Sequence, residues 1–173
     1  MAKLDWIISG NGGLSIIEDG GSKRCRLTYQ KLMLWNGNDS LGDCEIVADI
    51  LMGTNGNYSG GIVLRSNSTA NTCYKFLVVG LRTYYIQKVV NGQTTTLGTA
   101  VSTRSYNEYV KTRFRIDGWQ LSIEEFTNGE WELISMVQDS SQAIVSGSAG
   151  LFGASVNSSY YITFDNVEIN IKV

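Results

Sequence analysis

The stretch Val110-Lys-Thr-Arg-Phe-Arg-Ile-Asp117 decides the fold class, because its apolar and charged residues alternate almost perfectly. A second alternating run, Trp119-Gln-Leu-Ser-Ile-Glu124, follows directly after Asp117-Gly118. Successive side chains of a strand point to opposite faces of a sheet, so each run predicts a strand with one buried and one solvated face. The Asp-Gly pair accepts the positive φ angles of a tight turn. The two runs therefore predict a β-hairpin.

Turn pairs divide the rest of the chain in the same way. Asn-Gly and Asp-Gly pairs recur from Asn11-Gly12 to Asn128-Gly129, and the chain has no proline, so these pairs are expected to make the tight turns. The segments between the turns are rich in β-branched and aromatic residues, which favour strands. The predicted strands are Leu14–Glu18, Arg24–Leu34, Cys44–Met52, Gly61–Arg65, Cys73–Val79, Tyr84–Val90, Gln93–Leu97, Tyr109–Asp117, Trp119–Phe126, Trp131–Met136, Ala149–Phe152 and Tyr160–Val173.

The last predicted strand and the absence of helical patterns refine the fold class. The apolar residues of the last strand change parity at Asp165-Asn166, which predicts a β-bulge. An apolar pattern of helical period is confined to a short piece at Asp139–Ile144. No break in composition divides the chain, so residues 1–173 are predicted to form one domain. Many short strands in this length predict an all-β fold, a two-sheet antiparallel β-sandwich of the jelly-roll type.

Composition excludes several classes of function. The formal net charge is −2 and the basic residues are scattered, which argues against a nucleic-acid partner. The apolar runs are too short to span a membrane or to form a signal peptide. The chain has no histidine, so it lacks the commonest general base and a Ser–His pair for acyl transfer. Its three cysteines match no zinc pattern, and free thiols are expected in a reducing cytoplasm.

Strand-like motifs follow one another in a fixed order between residues 42 and 170. They are Gly42-Asp-Cys-Glu-Ile-Val-Ala-Asp49, Gly60-Gly-Ile-Val-Leu-Arg65, Tyr74-Lys-Phe-Leu-Val-Val79, Tyr85-Ile-Gln-Lys-Val-Val-Asn-Gly92, Arg113-Phe-Arg-Ile-Asp-Gly118, Gly147-Ser-Ala-Gly-Leu-Phe-Gly153 and Phe164-Asp-Asn-Val167. Their order resembles the concanavalin A-like lectin and glucanase jelly rolls, in particular the laminin-G-like and sugar-binding branches. The resemblance implies a sandwich with one concave sheet, in proteins that bind glycans, cleave them, or serve as adhesion and virion parts.

A glycan site needs a flat aromatic ring and a few hydrogen-bonding groups. Tyr58 and Tyr106 lie in predicted loops and are free to face a ligand, whereas Trp119 and Trp131 share parity with core residues and are predicted to be buried. Lys111, Arg113 and Arg115 form a basic row whose simpler explanation is solvated surface. The resemblance places polar groups at Arg65 and Arg113 on the concave sheet. The candidate binding residues are Tyr58, Arg65, Tyr85, Tyr106, Arg113 and Arg115.

Glycoside hydrolysis needs two carboxyl groups about 5–10 Å apart. Glu45 and Asp49 share a face, but Val47 lies where the glucanase signature has an acid. Glu124 and Glu125 are adjacent and are expected to point to opposite faces. A solvated strand explains both pairs, so no catalytic residue is assigned and the protein is predicted not to be an enzyme.

Calcium is common in the family that the sequence resembles. Asn38, Asp39 and Asp43 gather oxygen atoms in one loop, and Asp165 adds another at the predicted bulge. The loop lacks a defined calcium spacing, and Asn and Asp in turns need no metal. These four residues are therefore weak metal candidates, and no cofactor is predicted.

The sequence thus predicts a non-enzymatic, lectin-like module that recognises a surface glycan or a partner virion protein. By analogy, a small domain of this kind without a signal peptide looks like a bacteriophage capsid or tail protein, made in the host cytoplasm and carried on the virion, and it would form a homo-oligomer or dock on other virion proteins. An apolar patch on a sheet face or edge strand would then be expected. The alternatives are a hydrolase of the glucanase branch, a purely structural scaffold, and a cytoplasmic or extracellular location.

Overall fold

The computed structural model describes residues 5–19, 21–51, 59–80, 82–103, 107–155 and 160–172. Within these ranges the chain forms fourteen strands and no helix. The strands are β1 (Trp6–Ser9), β2 (Leu14–Asp19), β3 (Ser22–Thr28), β4 (Lys31–Trp35), β5 (Cys44–Leu51), β6 (Ser59–Ser66), β7 (Cys73–Val79), β8 (Thr83–Val90), β9 (Gln93–Val101), β10 (Tyr109–Asp117), β11 (Gln120–Thr127), β12 (Glu130–Gln138), β13 (Ser148–Gly153) and β14 (Tyr161–Ile171). Accordingly, none of the described residues belongs to a helix that could cross a membrane.

The strands pair in two antiparallel sheets of seven strands each, so the predicted two-sheet sandwich is confirmed. Sheet A has the order β1-β4-β13-β6-β7-β8-β9, and sheet B has the order β12-β11-β10-β5-β14-β3-β2. Consecutive strands pair in β6-β7-β8-β9 and in β10-β11-β12, whereas other neighbours come from distant parts of the chain, as β13 between β4 and β6 shows. This crossing of connections between two sheets is typical of jelly rolls.

The hairpin predicted from the opening stretch is present. Strands β10 and β11 pair from Thr112 with Glu125 to Asp117 with Gln120, and Gly118 in the turn has a φ angle of 58°. The predicted bulge is also confirmed, because the pairing of β14 with β5 shifts register between Asp165 and Glu168.

Three local predictions were wrong. The segment Arg24–Leu34 is not one strand, because the chain turns at Tyr29 and Gln30, where Gln30 has a φ angle of 49°. This turn sends β3 into sheet B and β4 into sheet A. Strand β1 was missed, and residues 139–144 form a turn and an irregular segment in place of a helix.

The core lies between the two sheets and follows the alternation of the strands. On β10, Val110, Thr112, Phe114 and Ile116 are buried, whereas the residues between them are half-exposed. Phe114 packs against Phe76 of sheet A, with 5.9 Å between the ring centroids. Burying such side chains contributes roughly 1.5–3 kcal/mol each, so the inward residues hold the sheets together and leave the outward residues free to vary.

Arg65 was predicted to be a binding residue on the concave sheet, but it is buried and does not face a ligand. Its side chain is buried at one end of the sandwich, where it donates to the carbonyl oxygens of Gly42 (3.0 Å), Ile144 (2.9 Å) and Gly118 (2.9 Å) and to Asp43 Oδ1 (3.0 Å). A left-handed backbone at Arg65, with a φ angle of 49°, takes it out of the strand alternation. Arg65 therefore ties loops of both sheets together.

A second buried polar cluster lies near the turn after β12. Asp139 accepts hydrogen bonds from the Tyr74 hydroxyl (2.7 Å) and from Lys88 Nζ (2.9 Å). Although burial opposes it, these hydrogen bonds hold the pKa of Asp139 well below its ordinary value of 3.8. The carboxylate thus has a structural role in anchoring sheet A to the turn.

Exposed apolar side chains concentrate on the edge strands of both sheets. Ile7 and Ile8 on β1 are 51% and 47% exposed, and Ile16 on β2 is 61% exposed. Leu133 and Met136 lie on β12, the opposite edge of sheet B. Exposed apolar residues on edge strands agree with the expected patch, but whether another copy or another protein covers them stays a prediction.

Candidate functional site

The outer face of sheet B is polar, and the register of its strands determines which charged side chains lie side by side. The pairing places Lys111 of β10 beside Asp49 of β5, and Asp49 beside Asp165 of β14. Four residues further along β10, the same register places Arg115 beside Glu45. The outward positions of the central strands therefore form rows of charged side chains across the sheet.

Most of these charges are paired with each other. Arg115 Nε donates to Glu45 (2.7 Å), Arg24 Nε donates to Asp165 (3.1 Å), and Arg113 forms an ion pair with Glu124. Although burial opposes it, the hydrogen bond to Glu45 raises the pKa of Arg115. Such pairs fix the direction of each polar group without leaving a strong net charge.

Next to the charged rows lies an aromatic group on β11 and β12. Trp131 was predicted to be core, and this was wrong: it is half-buried on the outer face of sheet B, where the Arg113 guanidinium lies 4.3 Å from its ring centroid. Phe126 packs edge-on against Trp131 with centroids 5.3 Å apart. Lys111 Nζ in turn lies 5.4 Å from the Phe126 centroid.

Trp131 borders a pocket of about 330 Å³ on the outer face of sheet B. Trp131, Leu133 and Met136 supply apolar surface, and the polar lining residues are Arg115, Asp117, Gln120, Ser122 and Glu124. An apolar wall facing several fixed hydrogen-bonding groups is the usual arrangement of a small-molecule site.

The structure separates the predicted binding residues. Arg113 and Arg115 lie on the outer face of sheet B, next to the pocket. Tyr85 lies on the outer face of sheet A, on the other side of the sandwich, as its pairing with Leu77 shows. Tyr58 and Tyr106 lie outside the described residues.

The predicted carboxylate pairs follow the expected geometry. Glu45 and Asp49 share the outer face of sheet B, and Asp49 accepts a hydrogen bond from Asn166 Nδ2 at 2.6 Å. Glu124 lies on the same face, whereas Glu125 is buried on the inner face and accepts a hydrogen bond from the Tyr84 hydroxyl at 2.6 Å. Each of these acids is thus engaged by a protein group.

The weak calcium candidates also have protein partners. Asp43 accepts hydrogen bonds from Arg65 and from the Gly118 amide (2.9 Å), and Asp165 is paired with Arg24. Asn38 accepts a hydrogen bond from the backbone amide of Ser40, and Asp39 accepts one from the Ser40 hydroxyl. Among the described residues, no group of three or more acidic or cysteine side chains could hold a metal ion.

Sequence reasoning missed Trp131, although a signal for it was present. The Asn128-Gly129 turn pairs Thr127 with Glu130, and this pairing places Trp131 opposite Phe126. Phe126 has the parity of Glu124, a charged residue expected to face solvent. Paired residues of a hairpin share a face, so pairing the two strands across this turn would have placed Trp131 on the outer face with Phe126.

Several solved structures share this fold. The carbohydrate-binding module CBM66 from Bacillus subtilis superposes with a TM-score of 0.72 at 19% identity over 94% of each chain. A family 16 endo-glucanase from Bacteroides ovatus superposes with a TM-score of 0.69 at 14% identity, covering 95% of this chain and 94% of that one. A legume lectin-like domain from Entamoeba histolytica gives 0.63 at 10% identity, covering 97% and 90%. At these identities the likeness shows the two-sheet jelly-roll fold alone.

No protein-family model matches the sequence, and no curated protein matches it.

Proposed function

We propose that this chain is a non-enzymatic carbohydrate-binding module whose sugar site is the pocket beside Trp131 on the outer face of sheet B. The observation that carries the proposal is the combination, in one pocket, of the half-buried Trp131 ring with ion-paired polar groups. The fold supports it, because a carbohydrate-binding module, a lectin-like domain and a glucanase share the same sandwich.

The chemistry of the pocket fits a sugar ring. A pyranose or furanose ring offers an apolar C–H face and a rim of hydroxyl groups, so it gains from an aromatic wall and from fixed donors and acceptors. Arg115 supplies donors, Glu124 supplies acceptors, and Ser122 and Gln120 supply both. Because Arg115 and Glu124 are already held by ion pairs, little side-chain entropy is lost on binding.

The balance of charge indicates a neutral glycan. The cations of β10 lie against the acids of β5 and β11, so the face offers no strong net field to a charged polymer. Long-range attraction to a polyanion would need an excess of unpaired cations. We therefore expect binding to a neutral glycan to change little with ionic strength.

The state of the carboxylates supports a binding role over hydrolysis. A retaining or inverting glycosidase needs one carboxyl group held as a proton donor at the scissile bond. Glu45 and Glu124 are instead tied to Arg115 and Arg113, and Asp49 is tied to Asn166. An acid that is engaged by a cation is poorly placed to deliver a proton to a leaving group.

A glycan array followed by titration calorimetry tests the proposal. We expect saturable binding to at least one neutral glycan, and the substitution Trp131→Ala should weaken it by at least about tenfold, as expected for an aromatic anchor. Tyr85→Ala is the matched control, since Tyr85 is a half-buried aromatic on the outer face of sheet A, and it should leave the affinity unchanged.

Two results would contradict this proposal. If Trp131→Ala binds the glycan as tightly as the control Tyr85→Ala does, the sugar is not bound beside Trp131. New reducing ends in the bound glycan after incubation would show that the protein is a hydrolase, the alternative from the sequence. The role on a virion stays a prediction, and light scattering of the purified protein with and without candidate partner proteins would test it.

A further inference from the structure

The two sheets differ sharply in their acidic residues. None of the seven strands of sheet A carries Asp or Glu, and its basic residues are Lys31, Arg65, Lys75 and Lys88. Most acidic residues of the chain lie on the strands of sheet B, namely Glu18, Asp19, Glu45, Asp49, Asp117, Glu124, Glu125, Glu130, Glu132, Asp165 and Glu168. Arg65 and Lys88 are paired with Asp43 and Asp139, so a ligand approaching the outer face of sheet A meets Lys31 and Lys75, with no acid on the strands themselves.

A pocket of about 410 Å³ opens on this outer face, between the β3–β4 turn and the loop that follows β6. Its apolar surface comes from Leu32, Ala70 and Phe152, and Tyr29, which is 38% exposed, lies at its border. Lys31 and Lys75 are the charged residues in its lining. This concavity is called the Lys75 pocket below.

The two lysines of the Lys75 pocket are available to an anion. Lys75 Nζ lies 5.2 Å from the centroid of the Phe152 ring, and within the described part of the chain no carboxylate oxygen comes within 4.0 Å of it. Lys31 Nζ donates one hydrogen bond, to the carbonyl oxygen of Gly10 at 3.2 Å. A half-buried ammonium group without an acid partner gains more from an incoming anion than a paired one does.

The walls of the Lys75 pocket are held in place by the protein. The side-chain amide oxygen of Asn67 accepts hydrogen bonds from the backbone amides of Asn71 (3.1 Å) and Thr72 (3.4 Å), which fixes the loop that carries Ala70. Beneath the pocket, Val63 and Cys73 are fully buried and pack with Leu32 and Phe152. A preformed pocket loses little free energy to ordering when a ligand binds.

We propose that the Lys75 pocket is a second glycan site, which takes the uronic acid residue of an acidic oligosaccharide. The carboxylate lies between Lys75 and Lys31, and the sugar ring lies against Tyr29, the exposed aromatic residue at the border of the pocket. Gln30 and Thr69 also line the pocket, and their uncharged hydrogen-bonding groups suit sugar hydroxyls. An aromatic acid without hydroxyls would leave those groups unused, which favours the sugar. The assignment does not depend on the site beside Trp131.

Titration calorimetry with short uronic acid oligosaccharides tests this second site. The probes are trimers of glucuronic, galacturonic and mannuronic acid, with neutral trimers of the parent sugars as controls. We expect at least one uronate trimer to bind and its neutral parent to bind the Lys75 pocket at least about tenfold more weakly, since the parent lacks the charge-assisted contacts. Affinity should also fall several-fold between low and high salt, because screening shortens the reach of the two ammonium groups.

Three variants locate the binding. Lys75→Met keeps the apolar stem and should weaken uronate binding by at least about tenfold, whereas Lys75→Arg keeps the charge and should retain most of it. Lys111→Met, on the outer face of sheet B, should have no effect. Thermal unfolding of each variant checks that it remains folded.

Distinct outcomes overturn this assignment. If no uronate trimer binds, or if Lys75→Met binds as well as the unchanged protein, the pocket is not an acidic-sugar site. If benzoate binds through Lys75 and the uronates do not, the ligand is an aromatic acid and the sugar assignment is wrong. If Trp131→Ala abolishes uronate binding while Lys75→Met does not, the acidic sugar uses the face proposed for neutral glycans.

Discussion

The outer faces of the two sheets differ in the chemistry of their side chains. Along the strands of both sheets, outward residues alternate with residues of the apolar core. On sheet B the outward residues include ion pairs such as Arg115–Glu45, whereas on sheet A they include the apolar residues Val63, Cys73 and Phe152. On sheet A those residues are covered by their neighbours, so this face carries a small second core. The comparison shows that the inward positions determine the sandwich, while the outward positions carry the chemistry that differs between the faces.

The largest expected effect contrasts two phenylalanines, one on each outer face. Phe152 on sheet A is 7% exposed and belongs to the second core, whereas Phe126 on sheet B is 40% exposed. We expect Phe152→Ala to lower the free energy of unfolding by about 3 kcal/mol, through lost burial and a cavity. Phe126→Ala should lower it by about 1 kcal/mol or less. Urea denaturation monitored by circular dichroism measures both values.

Similar losses in the two variants would break the comparison, because they would mean that the outer face of sheet A is no better packed than that of sheet B. A change in the slope of the urea transition would point instead to an altered unfolded state. The midpoints are therefore compared only if the slopes agree.

A smaller effect contrasts two cations. Arg113 is paired with Glu124 and lies 3.9 Å from Glu45, and its side chain is 15% exposed. Arg113→Met leaves Glu124 without its cation and should cost about 1–2 kcal/mol, less than for a fully buried pair because water reaches the site. Lys75→Met removes no ion pair among the described residues and should change the free energy of unfolding by no more than about 0.5 kcal/mol.

The same denaturation experiment compares these two variants, and salt sharpens it. The cost of Arg113→Met should shrink at high ionic strength, since screening weakens the pair that it removes. A cost for Lys75→Met as large as that for Arg113→Met would show that Lys75 has a structural partner, and it would weaken the case for an anion at that pocket.

The sequence predicted the fold because alternation and turn chemistry are local. The run from Val110 to Asp117 contains its own evidence of a buried face, and the Asp117-Gly118 pair identifies the turn that follows it. The bulge near Asp165 was predictable for the same reason, since the change of parity is visible within one strand.

The candidate site was predicted less well because it depends on register between strands. Arg65 has the parity of an outward residue, but its left-handed backbone and carbonyl partners from distant loops turn it inward. Trp131 has the parity of a core residue only if its hairpin partner is ignored. The Lys75 pocket joins β4, β7, β13 and two loops, and no short stretch of sequence records that these segments meet.

The smallest expected effect is a lack of reaction at Cys73, which tests whether the outer face of sheet A is covered. Cys73 is fully buried on that face, and its Sγ lies 3.4 Å from the carbonyl oxygen of Ala70 in the covering loop. Burial raises the pKa of its thiol to about 11 from an ordinary value of 9.0, so at pH 8 roughly a thousandth of it is thiolate, against about a tenth for a free thiol.

Iodoacetamide labelling, read by peptide mass spectrometry, should leave Cys73 unmodified in the native protein and modify it in urea. Asn67→Ala, which removes the acceptor that fixes the loop, should speed labelling at Cys73 but not at the core residue Cys44. Labelling of native Cys73 at the rate of a free thiol would show that the second core is open to solvent, and the contrast between the two faces would then fail.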